Sequence, residues 1–402
     1  MSTRDAARPD SSLPLQTPAA IYTELDRYVI GQHRAKRKLS IAAYNHQKRI
    51  ALASGGTRVA LRKANVLLYG PTGCGKTHLA RQLARILQVP FIIVDATDFT
   101  EAGYYGKDVE TIIGELLLGT ESVEEAQRGI VFIDEVDKIA SRAGGARTGA
   151  GNRDIGGEGV QQALLKLLEG KVIHAPVNVT QHWNKHDFVQ VDVTDVLFVC
   201  AGAFSDMELT VAGRVEGFGA PVADRTAART PAATDLPVSP PAPTERAGDG
   251  SPARDAGALS APDPELAAAG VAGSAAPGPT VEDFRRYGFS PEFLGRLPVR
   301  VGLQELTTEQ LMQVLVEPPD AVLKEYRELL RIDEVDLTWD DDAFRPMARY
   351  VHRHKLGARV LRTLVEDLFE EVMFQAPEWG GRQLHLRSAD VEQRLAELDI
   401  YR

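Results

Sequence analysis

The stretch "NVLLYGPTGCGKTHLARQLARIL", residues 65–87, limits the possible folds of this chain more than any other. Val66, Leu67 and Leu68 predict a buried strand, Gly70 to Thr77 fit the pattern G-x-x-x-x-G-K-T, and an amphipathic helix follows. A phosphate-binding loop requires this order of strand, loop and helix. Gly70, Gly73 and Gly75 let the backbone curl so that its amides and the helix N-terminus face phosphate oxygens. Lys76 adds positive charge toward the β and γ phosphates, and Thr77 offers a hydroxyl to Mg²⁺. Pro71, Thr72, Cys74 and His78 complete the expected nucleotide contacts. The bland alternative is a Gly-rich turn with an incidental lysine.

A second apolar run lies in "GIVFIDEVDKIA". Ile130 to Ile133 place Asp134 and Glu135 at the carboxyl end of another buried strand, near the phosphate loop of a doubly wound sheet. Asp134 is expected in the Mg²⁺ shell, and Glu135 can orient and deprotonate a water. The pair points to hydrolysis of a bound nucleotide. Glu135 as a plain helix N-terminal acid is the alternative.

The chain has 402 residues, more than one core usually serves, so two domains or one large domain with an appendage are expected. A net charge of −10 argues against binding nucleic acid through bulk charge. Two cysteines, Cys74 and Cys200, build neither a disulfide framework nor a cysteine-rich zinc site, and a reducing cytoplasm fits best. No run approaches the ~18 apolar residues of a membrane helix, and no signal core opens the chain. Residues 1–20 read as a disordered tail, 21–220 as an α/β domain and 303–402 as a small, mostly helical domain. In residues 221–280, 34 are Ala, Pro or Gly and none is aromatic, so a disordered insertion is expected there. Residues 281–302 then complete the large domain. Leu361, Leu364, Val365, Leu368 and Val372 form one helical stripe, read as core.

The stretches "YVIGQHRAKRKLSIAAYNHQKRI", "GPTGCGKT", "FTEAGYYGKDVETII", "VFIDEVDKI", "RDIGGEGVQQALLKLLEG", "FVCAGAF", "GFSPEFLGRLP" and "GAR" together resemble the ClpX family of AAA+ protein unfoldases. The resemblance covers about residues 21–218 and 281–400, and is closer than that to the related HslU family. It implies an AAA+ P-loop domain followed by a small helical domain, ATP with Mg²⁺, a homo-hexamer, and unfolded or tagged proteins as substrates. Val29 and Ile30 would lie against the adenine, or would otherwise be core residues. Arg296 would be an arginine finger reaching a neighbouring subunit's γ phosphate, and Arg359 a second sensor. Either arginine could instead cap a helix or pair with a surface acid. Tyr104, between Gly103 and Gly106, would grip polypeptide in the axial pore through aromatic area. Tyr105 stands where the family has a small aliphatic residue. Arg153 falls in the family's second pore loop.

Three departures from the family pattern matter. The amino-terminal zinc module needs four cysteines and is expected to be missing. The peptidase-docking tripeptide Ile-Gly-Phe corresponds here to Glu216, Gly217 and Phe218, and a carboxylate enters an apolar cleft only by losing hydration. Docking on a ClpP-type peptidase is therefore expected to be weakened or absent. The Ala/Pro-rich insertion follows directly. The leading reading is an ATP-driven unfoldase working without ClpP. Alternatives are the unfolding subunit of a ClpP-type protease, a DNA-translocating ring fed by "RAKRK" (34–38), and a P-loop phosphotransferase. The basic run reads more simply as a solvated helix face.

Overall fold

The computed structural model describes residues 15–54, 61–99, 108–141, 157–176, 188–205, 207 and 278–397. Tyr104, Tyr105, Arg153, Glu216, Gly217 and Phe218 lie outside the described residues, as does most of the Ala/Pro-rich segment.

The large domain is built on short apolar runs, several of them nearly continuous because both faces of the strand are buried. Its strands are β1 (Val66–Tyr69), β2 (Phe91–Asp95), β3 (Ile130–Asp134), β4 (Val172–Pro176), β5 (Phe188–Asp192), β6 (Leu197–Gly202) and β7 (Val299–Gly302). Five of them form a parallel sheet in the order β2-β3-β6-β1-β7, and β4 pairs antiparallel with β5. Alternate residues feed opposite cores, as the pleat requires. Val66, Leu68, Phe132, Val199 and Val301 pack under α1 (Pro18–Tyr28), α2 (His33–Ser54) and α3 (Lys76–Leu87). Leu67, Val131, Ile133, Phe198 and Cys200 pack on the other face. The helices there are α4 (Thr111–Leu118), α5 (Val123–Ala126), α6 (Glu158–Leu168), α7 (Val281–Tyr287) and α8 (Pro291–Gly295). Helices on both faces make this the doubly wound α/β fold read from the sequence, and each large buried apolar side chain contributes on the order of 2 kcal/mol.

Thr280, the last residue of the expected insertion, already belongs to ordered structure. It closes a capping box with Asp283 at the start of α7: its N–H donates to the Asp283 carboxylate at 2.6 Å, and its hydroxyl accepts from the Asp283 N–H at 3.4 Å.

The remaining chain folds around its own core. It comprises α9 (Thr308–Val316), α10 (Val322–Ile332), β8 (Asp336–Trp339), α11 (Arg345–Arg353), α12 (Arg359–Gln375), β9 (Gln383–Leu386) and α13 (Ser388–Glu397). Leu361, Leu364, Val365 and Leu368 are buried along α12, with Val372 packed at the edge. Tyr326 stacks on Phe369 at 4.9 Å between ring centres. β8 and β9 pair in parallel.

The solvated-face reading of "RAKRK" needs correction at one residue. Arg34, Arg37 and Lys38 are exposed, whereas Lys36 is fully buried. The helical period puts positions 35, 36, 39 and 40 on the core side of α2, so the lysine follows Ala35, Leu39 and Ser40 inward. Among the described residues no helix is long and apolar enough to cross a membrane.

Candidate functional site

The phosphate loop leaves β1 in the middle of the carboxyl edge of the sheet, the crevice where ligands of open α/β sheets bind. Lys76 opens α3 and donates to the carbonyls of Gly70 and Pro71 at 2.7 and 2.9 Å, so its ammonium lies across the loop. Asp134 ends β3, two strands away, yet the Thr77 hydroxyl donates to its Oδ2 at 3.2 Å. A hydroxyl and a carboxylate so close are the hard oxygen donors that Mg²⁺ takes beside phosphates. Thr77 and Asp134 could therefore hold that ion. Among the described residues no cluster of three or more His, Cys, Asp or Glu could bind a metal unaided.

Glu135 follows in a left-handed conformation, φ +54°, with its N–H donating to Asp134 Oδ1 at 2.9 Å. A non-glycine residue holds this conformation at a cost of about 1 kcal/mol or more. The turn keeps the exposed Glu135 carboxylate on the cavity wall instead of continuing the strand.

The cavity measures about 1020 Å³ and is walled by both folded parts. Residues from Thr72 to His78, with Asp134 and Glu135, line it from the large domain, and Arg359 and Arg362 from α12. Arg359 is the first residue of α12, so its guanidinium and the helix N-terminus add positive potential on the same side. Arg362 is paired with Glu325 at 2.8 Å. Val29, 5% exposed, belongs to the core and also borders the cavity; Ile30 borders it and is more exposed. Val29 is thus a core residue that also faces the cavity.

Arg296 is elsewhere. It caps α8, and its carbonyl accepts from Asn65, just before β1, at 3.1 Å. That is the amino edge of the sheet, opposite the phosphate loop. Its half-exposed guanidinium pairs with Glu169 at 2.8 Å. Within one chain the structure brings together every expected nucleotide contact except this arginine.

Several site residues escaped sequence reasoning. Gln32 donates to the carbonyls of Cys74 and Gln304 at 3.3 and 2.7 Å and accepts from Gln304 N–H at 3.0 Å. Gln82 of α3 donates to Asp320 at 3.2 Å. Asp137 accepts from the N–H of Ala203, and Ala203 and Ser205 line the cavity after β6. Gly357 lies against Gly73. These partners are at least 42 residues apart and follow no local spacing, although Gly357 stands in the quoted "GAR" and Ala203 in "CAGAF".

A parallel sheet bearing this loop, a carboxylate against Thr77 and an acid beside it define a P-loop nucleotide hydrolase, and the second domain at the cavity makes it one of AAA type. Sequence comparison agrees: the profile "AAA domain (Cdc48 subfamily)" matches residues 61–300. The ATP-dependent Clp protease ATP-binding subunit ClpX of Treponema denticola is 39% identical over 379 residues, 93% of this chain and 80% of that protein. The chain belongs to the ClpX family of AAA+ proteins, and it is an ATPase.

Proposed function

We propose that this protein is an ATP-driven unfoldase that threads polypeptide through the pore of a homo-hexamer in the cytoplasm, with residues 303–402 as the small domain of each subunit. The observation that carries the reading is the placement of Arg296. It sits at the opposite edge of the sheet from its own phosphate loop, half exposed, which is where an arginine that serves a neighbour's site would stand. A charge supplied this way is worth on the order of a thousandfold in rate, which ties hydrolysis to assembly.

Within the site Glu135 takes the proton of an attacking water, Lys76 and Arg359 hold phosphate oxygens, and Val29 and Ile30 cover the base. Mg²⁺, held by Thr77 and Asp134 through the nucleotide, would neutralise charge developing on the phosphates. The buried cysteines Cys74 and Cys200, which no disulfide joins, support a reducing compartment. Tyr104 and Tyr105, with Arg153, are assigned to the pore. Replacing Tyr104 by Ala should spare ATPase activity and stop unfolding of a tagged fluorescent reporter; sustained unfolding would remove this loop from the mechanism.

The name of the Treponema relative favours a second reading, in which the ring serves a Clp-type peptidase. Glu216 in place of an apolar anchor speaks for weakened docking. Pull-down of a ClpP-type peptidase by the assembled ATP-bound protein, compared with Glu216→Ile, decides between them.

A further inference from the structure

Lys36 is buried without a role in the phosphate chemistry. Its side chain is 1% exposed, where an unpaired ammonium would cost several kcal/mol. Its Nζ donates to the carbonyl of Val29 at 2.8 Å and to the carboxylate of Asp26, with the Tyr22 ring 5.7 Å away. Asp26 is about half exposed, so the charge is neutralised at the surface while the ammonium reaches inward.

The carbonyl it holds belongs to Val29, a residue that borders the cavity. Val29 is where α1 stops: its N–H still bonds to Leu25 at 2.9 Å, but its extended backbone, φ −114°, turns the carbonyl away from the helix ladder. The segment from Val29 to Gln32 then bridges two helices without regular structure, and three side chains hold it and the end of α1. His78 bonds the carbonyl of Tyr28 at 3.2 Å, Gln32 bonds Cys74 and Gln304, and Lys36 holds the carbonyl between them. Only the Lys36 tether is charged and fully buried, and a hydrogen bond from such a donor outweighs a neutral one.

We propose that Lys36 is a positioning residue for base recognition, fixing the Val29 and Ile30 wall through the Val29 carbonyl so that the cavity is preformed for a purine nucleotide. The inference rests on the assignment of Val29 and Ile30 to the base. Without this donor the buried carbonyl has to find water and the wall must rotate, which weakens contacts to the base and leaves the phosphate loop intact.

Calorimetric titration of the full chain with ADP and with inorganic pyrophosphate separates these effects, because only ADP carries a base. Lys36→Met should raise the Kd for ADP about tenfold and leave that for pyrophosphate within about twofold. Unchanged ADP affinity, or equal loss of both ligands, would overturn the proposal. Should Lys36→Met not fold, Asp26→Asn is read in its place: it keeps the Val29 bond and should hold the ADP-to-pyrophosphate ratio within about threefold, whereas a collapse of that ratio would shift the role to the ion pair and overturn the proposal. If the unaltered protein binds ADP no better than pyrophosphate, it is the base assignment of Val29 and Ile30 that fails.

Discussion

Gly73 of the phosphate loop and Gly357 ahead of α12 touch backbone to backbone. A Cβ on Gly73 would stand 2.7 Å from the Cα of Gly357, and one on Gly357 would stand 2.6 Å from the Cα of Gly73. Both have positive φ, +75° and +71°, and the N–H of Ala358 donates to the Gly73 carbonyl at 3.0 Å. The small domain therefore meets the phosphate loop through main-chain atoms, next to Arg359 on the cavity wall. A shift of the loop by a fraction of an ångström has to move α12 or break this bond, which is how hinge closure couples to a ligand.

Gly357→Ala should expose this coupling. The added methyl meets backbone that cannot swing aside, in a conformation that already disfavours alanine, so a stability loss of about 1–3 kcal/mol is expected. ATP turnover should fall by about tenfold or more even where the protein is folded. Thermal unfolding and steady-state ATPase on the same sample check this, and full turnover in a folded variant would refute the coupling.

Glu135→Gln keeps size and shape and removes only the base. Nucleotide binding and ring assembly should persist while hydrolysis falls by roughly a hundredfold or more. Equilibrium binding of ATP beside single-turnover hydrolysis tests it, and unaltered turnover would take the water-activating role from this residue.

Arg296→Ala should lose most ATPase activity, on the order of a thousandfold. Mixed with Glu135→Gln subunits, it should recover part of it, because seams then form with an intact base on one side and an intact arginine on the other. Mixtures that stay inactive at every ratio would place the arginine's effect inside its own subunit, where it pairs with Glu169.

His46 sets an acid limit on stability. Burial, reinforced by Arg49 and Lys63, pushes its pKa down to about 3, and the nearby Asp195 backbone offsets this only in part. Among the described residues neither ring nitrogen has a partner in hydrogen-bonding geometry. The unfolded chain protonates this histidine near pH 6.5 and the folded chain does not, so stability falls as pH drops from about 6.5 toward 3. His46→Leu should raise the unfolding temperature more at pH 5 than at pH 7.5, measured by calorimetry. An equal gain at both values would assign the effect to packing alone.

Much of the site was legible because its chemistry is local. The loop from Gly70 to Thr77 and the Asp134 and Glu135 pair are defined by spacing within a few residues, and continuous apolar runs assigned their strands. Lys36 shows the limit. Its neighbours Arg34, Arg37 and Lys38 are solvated, and "RAKRK" alone cannot say which side of α2 meets the core.

The sequence by itself determined the phosphate loop, the hydrolytic acids and the α/β class, since each depends on contacts or periodicities along a short stretch of chain. Only the tertiary structure decided that Arg296 lies at the far edge of the sheet, that Gly357 closes on Gly73, and that Lys36 turns inward to the Val29 carbonyl. Those relationships depend on strand order and on which helix faces meet, and such long-range packing is set by the whole buried surface at once, not by any local run of residues.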